Sequence, residues 1–361
     1  MSEAPINYRE EVLKPFFNHI KSGESFYIIG APSIGKTRLM DFLMGDDPDL
    51  LREGIKPEDP HRVKRRYLGD EAVNKTWLAR VDMNRLRAEN DLGFSFFELM
   101  LNTVLLACNK SEQTDEAEKL RETIAGLDSE VIESRDALKA LRFFEMAVNM
   151  LCQSYDIKLC FLFDEFDGMY EKMPLEIFAH LRAARDANKY RVSYALFLRN
   201  LPEKLRNPID NESFYELISR NMIGMGPYSQ PDTYHIIEQL EKRREYRLPE
   251  NKREWLCINS GGHPGLIQAL YTIFKDRPSI TIAPDNMNWF AGQETVKEEF
   301  RKLWAGLFDE EKNGLREFAK GSHITMSQAT GKLLTAKGLI KPAAGGMDFF
   351  TPLFKLWVLK Q

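Results

Sequence analysis

The chain has 361 residues, more than the ~100–200 of a usual single domain, so two or three units are expected. It is 43% hydrophobic and 29% charged, which sets disordered and fibrous architectures aside. The net charge of −4 lacks the basic excess of a dedicated nucleic-acid binder, but it is unevenly placed. Phe300–Gln361 carries ten basic and five acidic residues, whereas Ser111–Asp136 carries three and nine. Apolar runs such as Leu159–Phe163 fall far short of the ~18 residues needed to span a bilayer. Met1–Pro5 opens no secretory signal, and the four cysteines form no C-x-x-C pair. The expectation is a cytoplasmic protein with no membrane association.

Along the chain, Arg9–Ile20 has apolar residues at helical spacing, and Ser25–Ile29 reads as a short strand running into Gly30. A helix follows Lys36 and ends at Gly45. Asp46–Lys75 is polar and proline-containing, with a basic knot at Arg62–Arg66, and reads as an irregular insertion. Strand Trp77–Asp82, helices Phe94–Cys108 and Ala137–Ser154, strand Lys158–Phe163, helix Leu175–Ala187 and strand Val192–Leu198 come next. Strands alternating with helices predict an α/β core with a parallel sheet. From about Pro231 the strand signal fades. Helices over Thr233–Tyr246, Lys252–Asn259 and Gly265–Lys275 predict a small helical lid. The last segment offers helices at Phe300–Leu307, Glu310–Ala319 and Ser327–Ala336, then a hairpin turned at Gly345–Gly346, which is the pattern of a winged helix. The expected units are the α/β core over 1–228, which the motif at Gly30–Thr37 (G-x-x-x-x-G-K-[ST]) marks as a P-loop NTPase core, the lid over 229–290 and the winged-helix domain over 291–361.

Gly30-Ala31-Pro32-Ser33-Ile34-Gly35-Lys36-Thr37 satisfies G-x-x-x-x-G-K-[ST] at every position. The glycines let the backbone wrap phosphates at a helix N-terminus, Lys36 reaches the β and γ phosphates, and the Thr37 hydroxyl ligates Mg²⁺. The strand ending in Asp164-Glu165 supplies the second element. Asp164 is placed to hold Mg²⁺ and Glu165 to polarise the attacking water. Arg199, at the tip of the next strand, is placed to sense the γ-phosphate. Its alternative is a strand-end arginine reaching into solvent. Asp167 reads as a helix cap or a surface acid.

In this order, P-loop, Asp-Glu strand, Arg-tipped strand, lid and winged helix resemble the STAND branch of AAA+-related ATPases, which includes the NB-ARC regulators. Ile223–Asp232 resembles that branch's segment leading into the lid, and Ser260–Leu270 resembles its Gly-x-Pro lid motif. The resemblance implies ATP or ADP as the nucleotide, Arg38 beside the P-loop contacts, Pro264 against the adenine ring and Gly262 in a close turn. The Met-His-Asp of NB-ARC winged helices is replaced here by Gly346-Met347-Asp348-Phe349, so a resting lock of that type is not expected. Two uses remain open. One is a slowly hydrolysing regulatory switch that signals to a separate effector or sensor protein, with homo-oligomerisation possible in principle. The other is a DNA-handling ATPase whose residues 300–361 contact DNA through Lys332, Lys337 and Lys341.

Overall fold

The computed structural model describes residues 4–45, 59–86, 91–110, 115–283, 286–321 and 326–361. Helix α1 (Glu10–Ser22) buries its Val12, Leu13, Phe16, Phe17 and Ile20 stripe and leads into strand β1 (Phe26–Ile29). The Gly-rich loop then enters α2 (Lys36–Leu43). After α3 (Arg62–Leu68), strand β2 (Thr76–Asp82) is followed by three helices, α4 (Leu92–Asn109), α5 (Asp115–Ser134) and α6 (Ala137–Asn149). Strand β3 (Lys158–Asp164), α7 (Asp167–Lys172), α8 (Leu175–Ala187), β4 (Val192–Leu198), α9 (Glu212–Ile218) and β5 (Met222–Gly224) complete the core.

These strands form one parallel sheet in the order β2-β3-β4-β1-β5. β4 therefore lies between the strand that feeds the Gly-rich loop and the strand that ends in Asp164. All seven residues of β4 are buried, as expected of a parallel strand covered on both faces. Alternate residues feed two cores. Phe26, Ile28, Cys160 and Leu162 face one side of the sheet, and Tyr27, Ile29, Leu159, Phe161 and Phe163 face the other. Helix α4 is long and apolar enough to cross a membrane, yet half of it is buried beside β2, α5 and α6, the position of a core helix.

The acidic segment is a helix: α5 turns Leu120, Ile124 and Val131 inward and most of its charges outward, with Asp128 buried among the apolar residues. Two expectations need correction. The basic knot is also helical, with Val63 and Lys64 buried. Asp46–Glu58 of that expected insertion lies outside the described residues. Met222–Gly224, read as part of a lid linker, pairs with β1 as the sheet's edge strand.

The lid comprises α10 (Gln230–Arg244), α11 (Glu250–Asn259) and α12 (Pro264–Asp276). A short helix, α13 (Met287–Ala291), leads to the terminal unit, which opens with α14 (Glu294–Ala305). There α15 (Asp309–Ala319) and α16 (Gln328–Ala336) precede an antiparallel hairpin of β6 (Ile340–Ala343) and β7 (Gly346–Phe349), closed by α17 (Pro352–Val358).

The Gly- and Pro-containing segments Gly224–Pro231 and Asp276–Asp285 read as links crossed by few contacts. At the first, the opposite holds. A methyl group on Gly338, whose φ is +72°, would sit 2.3 Å from Pro227 Cδ and 2.5 Å from Gly226 Cα. The chain after α16 thus lies directly on the exit from β5. Pro284 and Asp285 of the second segment lie outside the described residues. The core that starts on one face of the sheet runs on through Ile237, Leu266 and Leu270 of the lid to Phe350, Leu353 and Phe354 of the terminal unit. Leu333 of α16 joins the core on the other face. The apolar surface of the terminal unit therefore serves docking as well as its own interior.

Candidate functional site

β1 delivers the Gly-rich loop to the carboxyl edge of the sheet, where ligands collect in open α/β folds. Ser33 (φ +57°) and Gly35 (φ +94°) take left-handed conformations, which curl the loop around the start of α2. Among the described residues no side chain caps that helix, which leaves its first N–H groups open to an anion. Lys36 is buried, and its Nζ donates to the carbonyls of Gly30 (2.8 Å) and Ala31 (3.1 Å). Burial pushes its ammonium down to about 8, against the pull of Asp167 and Asp164.

Asp164 is 3% exposed at the end of β3. Its Oδ2 accepts from Arg80 at 2.8 Å, and the other arm of Arg80 reaches Asp41 at 2.7 Å. Asp164 Oδ1 is buried with no hydrogen-bond partner among the described residues. An orphaned carboxylate oxygen suits a hard divalent cation, and Asp164 and Thr37 are the oxygen donor types that Mg²⁺ takes. Burial raises the Asp164 carboxyl above its ordinary range, opposed by Arg80; a cation would remove that cost.

Glu165, in a left-handed turn (φ +49°), is exposed beside this carboxylate. Its Oε1 lies 3.3 Å from the Arg199 guanidinium and its Oε2 3.5 Å from the Asn84 amide. Asp167 is neither a helix cap nor a surface acid. It accepts from the backbone N–H groups of Arg199 (3.0 Å) and Asn200 (3.1 Å), and so fixes the tip of β4.

The lid closes the other side. His263 begins α12: its Nδ1 accepts from Leu266 N–H at 3.4 Å and its Nε2 faces the Pro32 carbonyl at 3.2 Å. Pro264 Cγ lies 3.6 Å from where a side chain on Gly35 would begin. Gly262 (φ +76°) holds the preceding turn, its carbonyl accepting from Tyr228 N–H at 2.9 Å. Beneath these residues is Arg9, fully buried, donating to the carbonyls of Ile34 (2.7 Å) and Gly226 (2.6 Å) with its guanidinium 4.0 Å from the Tyr228 ring centre.

A cleft of about 910 Å³ opens between these parts. Its walls include Pro32–Arg38, Glu165, Arg199 and Pro264, so these expected residues are brought together. Gly30, Ala31 and Gly262 do not line it; they hold Lys36 and the lid turn from behind. Sequence reading missed Arg9, Tyr228, Arg80 and Asn84, and it missed Glu299 and Lys302 of α14, which bring the third unit to the same cleft. Nothing in their local sequence marks them, since each reaches the site through tertiary packing.

No protein-family model matches the chain, and no curated protein matches it. Among solved structures, it is similar to the Walker-type ATPase PABY2304 of Pyrococcus abyssi, at 14% identity and a TM-score of 0.52 over 98% of this chain and 95% of that one. It also matches the Aeropyrum pernix ORC2 protein in its ADP form, at 16% identity and a TM-score of 0.48, over 98% and 91%. The fold is that of a P-loop ATPase with a helical carboxy-terminal region.

Proposed function

We propose that the chain binds and slowly hydrolyses ATP, and that the nucleotide sets the arrangement of the lid and winged helix against the core. The observation carrying this reading is that one cleft is walled by all three units: Gly35–Arg38 from the core, Pro264 from the lid, and Glu299 and Lys302 from α14. In this reading the loop N–H groups and Lys36 hold the phosphates. Mg²⁺, held by Asp164 and Thr37, neutralises phosphate charge when bound. Glu165 orients a water and takes its proton, and Arg199, once released from Glu165, meets the charge on the γ-phosphate. The assignment of ATP rather than GTP rests on the AAA+-related resemblance, which the likeness to a Walker-type ATPase supports in fold. The test is nucleotide binding and phosphate release by wild type, Lys36→Ala and Glu165→Gln. Lys36→Ala should lose binding, and Glu165→Gln should bind and not turn over; equal turnover by wild type and Glu165→Gln would remove the assigned base.

What the switch serves has two readings. STAND-type signalling to a partner effector is supported by the sharing of one cleft among three units. DNA handling is supported by a different observation: Gln328, Ala329 and Lys332 on α16 and the whole wing from Lys341 to Asp348 are exposed. Lys337 must be withdrawn from that surface. It is 1% exposed, and its Nζ lies 2.7 Å from Glu311 and 2.9 Å from Asn200 at the tip of β4.

A further inference from the structure

Glu299 stands on α14, outside both the P-loop core and the lid, yet it lines the nucleotide cleft. It is 9% exposed. Its Oε1 is held by Lys302 Nζ at 2.5 Å, whereas its Oε2 is buried with no hydrogen-bond partner among the described residues. A buried carboxylate oxygen without a donor is costly, and such atoms call for a missing partner. The carboxylate reaches this point because residue 265 is glycine. A methyl group there would lie 2.0 Å from Glu299 Oε2. Gly265 is the second residue of α12, next to Pro264, and α10, which packs on α12, lines the same cleft with the apolar Ile236 and Leu240. That wall suits a flat base and its sugar.

We infer that Glu299 Oε2 accepts a hydrogen bond from the adenosine end of the nucleotide, either the base amine or a ribose hydroxyl. This rests on the cleft being an ATP site, and it deepens that reading: the third unit reads the nucleoside directly. The winged-helix unit then senses occupancy through a carboxylate, where a histidine lock is missing.

The test is equilibrium binding of ATP, 2′-deoxy-ATP, 3′-deoxy-ATP, purine riboside triphosphate and inorganic tripolyphosphate to wild type, Glu299→Ala, Gly265→Ala and Lys36→Ala. Gly265→Ala displaces only the far end of the Glu299 side chain, so it removes the contact while keeping the carboxylate. Both Glu299→Ala and Gly265→Ala should weaken ATP by about tenfold or more, as for a charge-assisted hydrogen bond. One analogue, the one lacking the donor, should bind wild type correspondingly weakly and be indifferent to both substitutions. Loss of the amine's effect identifies the base, and loss of a hydroxyl's effect the ribose. Lys36-dependent ATP binding that is unchanged or tightened in both variants would overturn the inference alone. An equal loss for every ligand, tripolyphosphate included, would overturn it as well. Wild-type binding that does not depend on Lys36 would overturn the ATP site and the inference together.

Discussion

The imidazole Nε2 of His263, at the start of a lid helix, lies 3.2 Å from the carbonyl oxygen of Pro32 in the phosphate-binding loop. Because Nδ1 accepts from Leu266 N–H, the proton is on Nε2 and is donated to Pro32. The same ring lies 5.8 Å from that of Phe350 in the terminal unit. One neutral side chain thus touches all three parts of the molecule, and the loop cannot move without disturbing it.

Burial holds the His263 imidazole down at about 4, against the pull of Glu299. The unfolded chain takes up this proton below about 6.5 and the folded chain only below about 4, so stability falls as pH drops through that window. The loss attributable to His263 is about 3 kcal/mol, from 1.36 kcal/mol per unit. Denaturant titrations at pH 7 and pH 4.5 check this. Wild type should lose more stability than His263→Asn between the two; equal losses would contradict the assignment.

For Lys36, burial lowers the pKa to about 8, and phosphates favour the charged ammonium. Nucleotide affinity should therefore be level from pH 7 to about 8 and fall above it, by up to tenfold per unit. Isothermal titration with ADP across pH 7–10 reads this directly. A flat profile to pH 10 would mean that Lys36 stays charged without the nucleotide.

The phosphate-binding loop, the Asp164-Glu165 strand end and the parallel sheet were legible because each is written locally: Gly-rich spacing, a five-residue apolar run, strands alternating with helices. The lid and hairpin were legible for the same reason. What was missed is encoded by partners distant in sequence. Arg9 looks like an ordinary helix start, and only the fold shows it bonded to Ile34 and Gly226. Met222–Gly224 is too short to signal a strand without β1 beside it. Lys337 reads as a recognition-helix base, and Glu311, 26 residues earlier, takes it inside.

That ion pair gives a stability prediction. Lys337 and Glu311 are 1% and 3% exposed, and burial lowers the Lys337 pKa against the pull of Glu311. Lys337→Met strands a buried carboxylate and should cost about 3–5 kcal/mol. The double variant with Glu311→Leu should recover a large part of it, as denaturant midpoints would show. A single variant as stable as wild type would mean the pair is not formed.

On the DNA-handling reading, contact falls to Lys332 and Lys341, with Gln328 the residue able to reach a base edge. Duplex binding should weaken steeply with salt, and should weaken further in Lys332→Ala/Lys341→Ala with thermal stability unchanged. Fluorescence anisotropy at low and moderate salt checks it. Absence of binding at low salt would leave the partner-protein reading.

If nucleotide in the cleft sets how the terminal unit docks, hydrogen exchange on Glu165→Gln, which should hold ATP unhydrolysed, will differ from that of its ADP complex well beyond the phosphate-binding loop. Protection should change together at Gly262–Gly265 and at Leu333–Leu339, where the terminal unit lies on Gly226 and Pro227. A difference confined to Gly30–Thr37 would show a rigid three-unit body whose docking the nucleotide does not set.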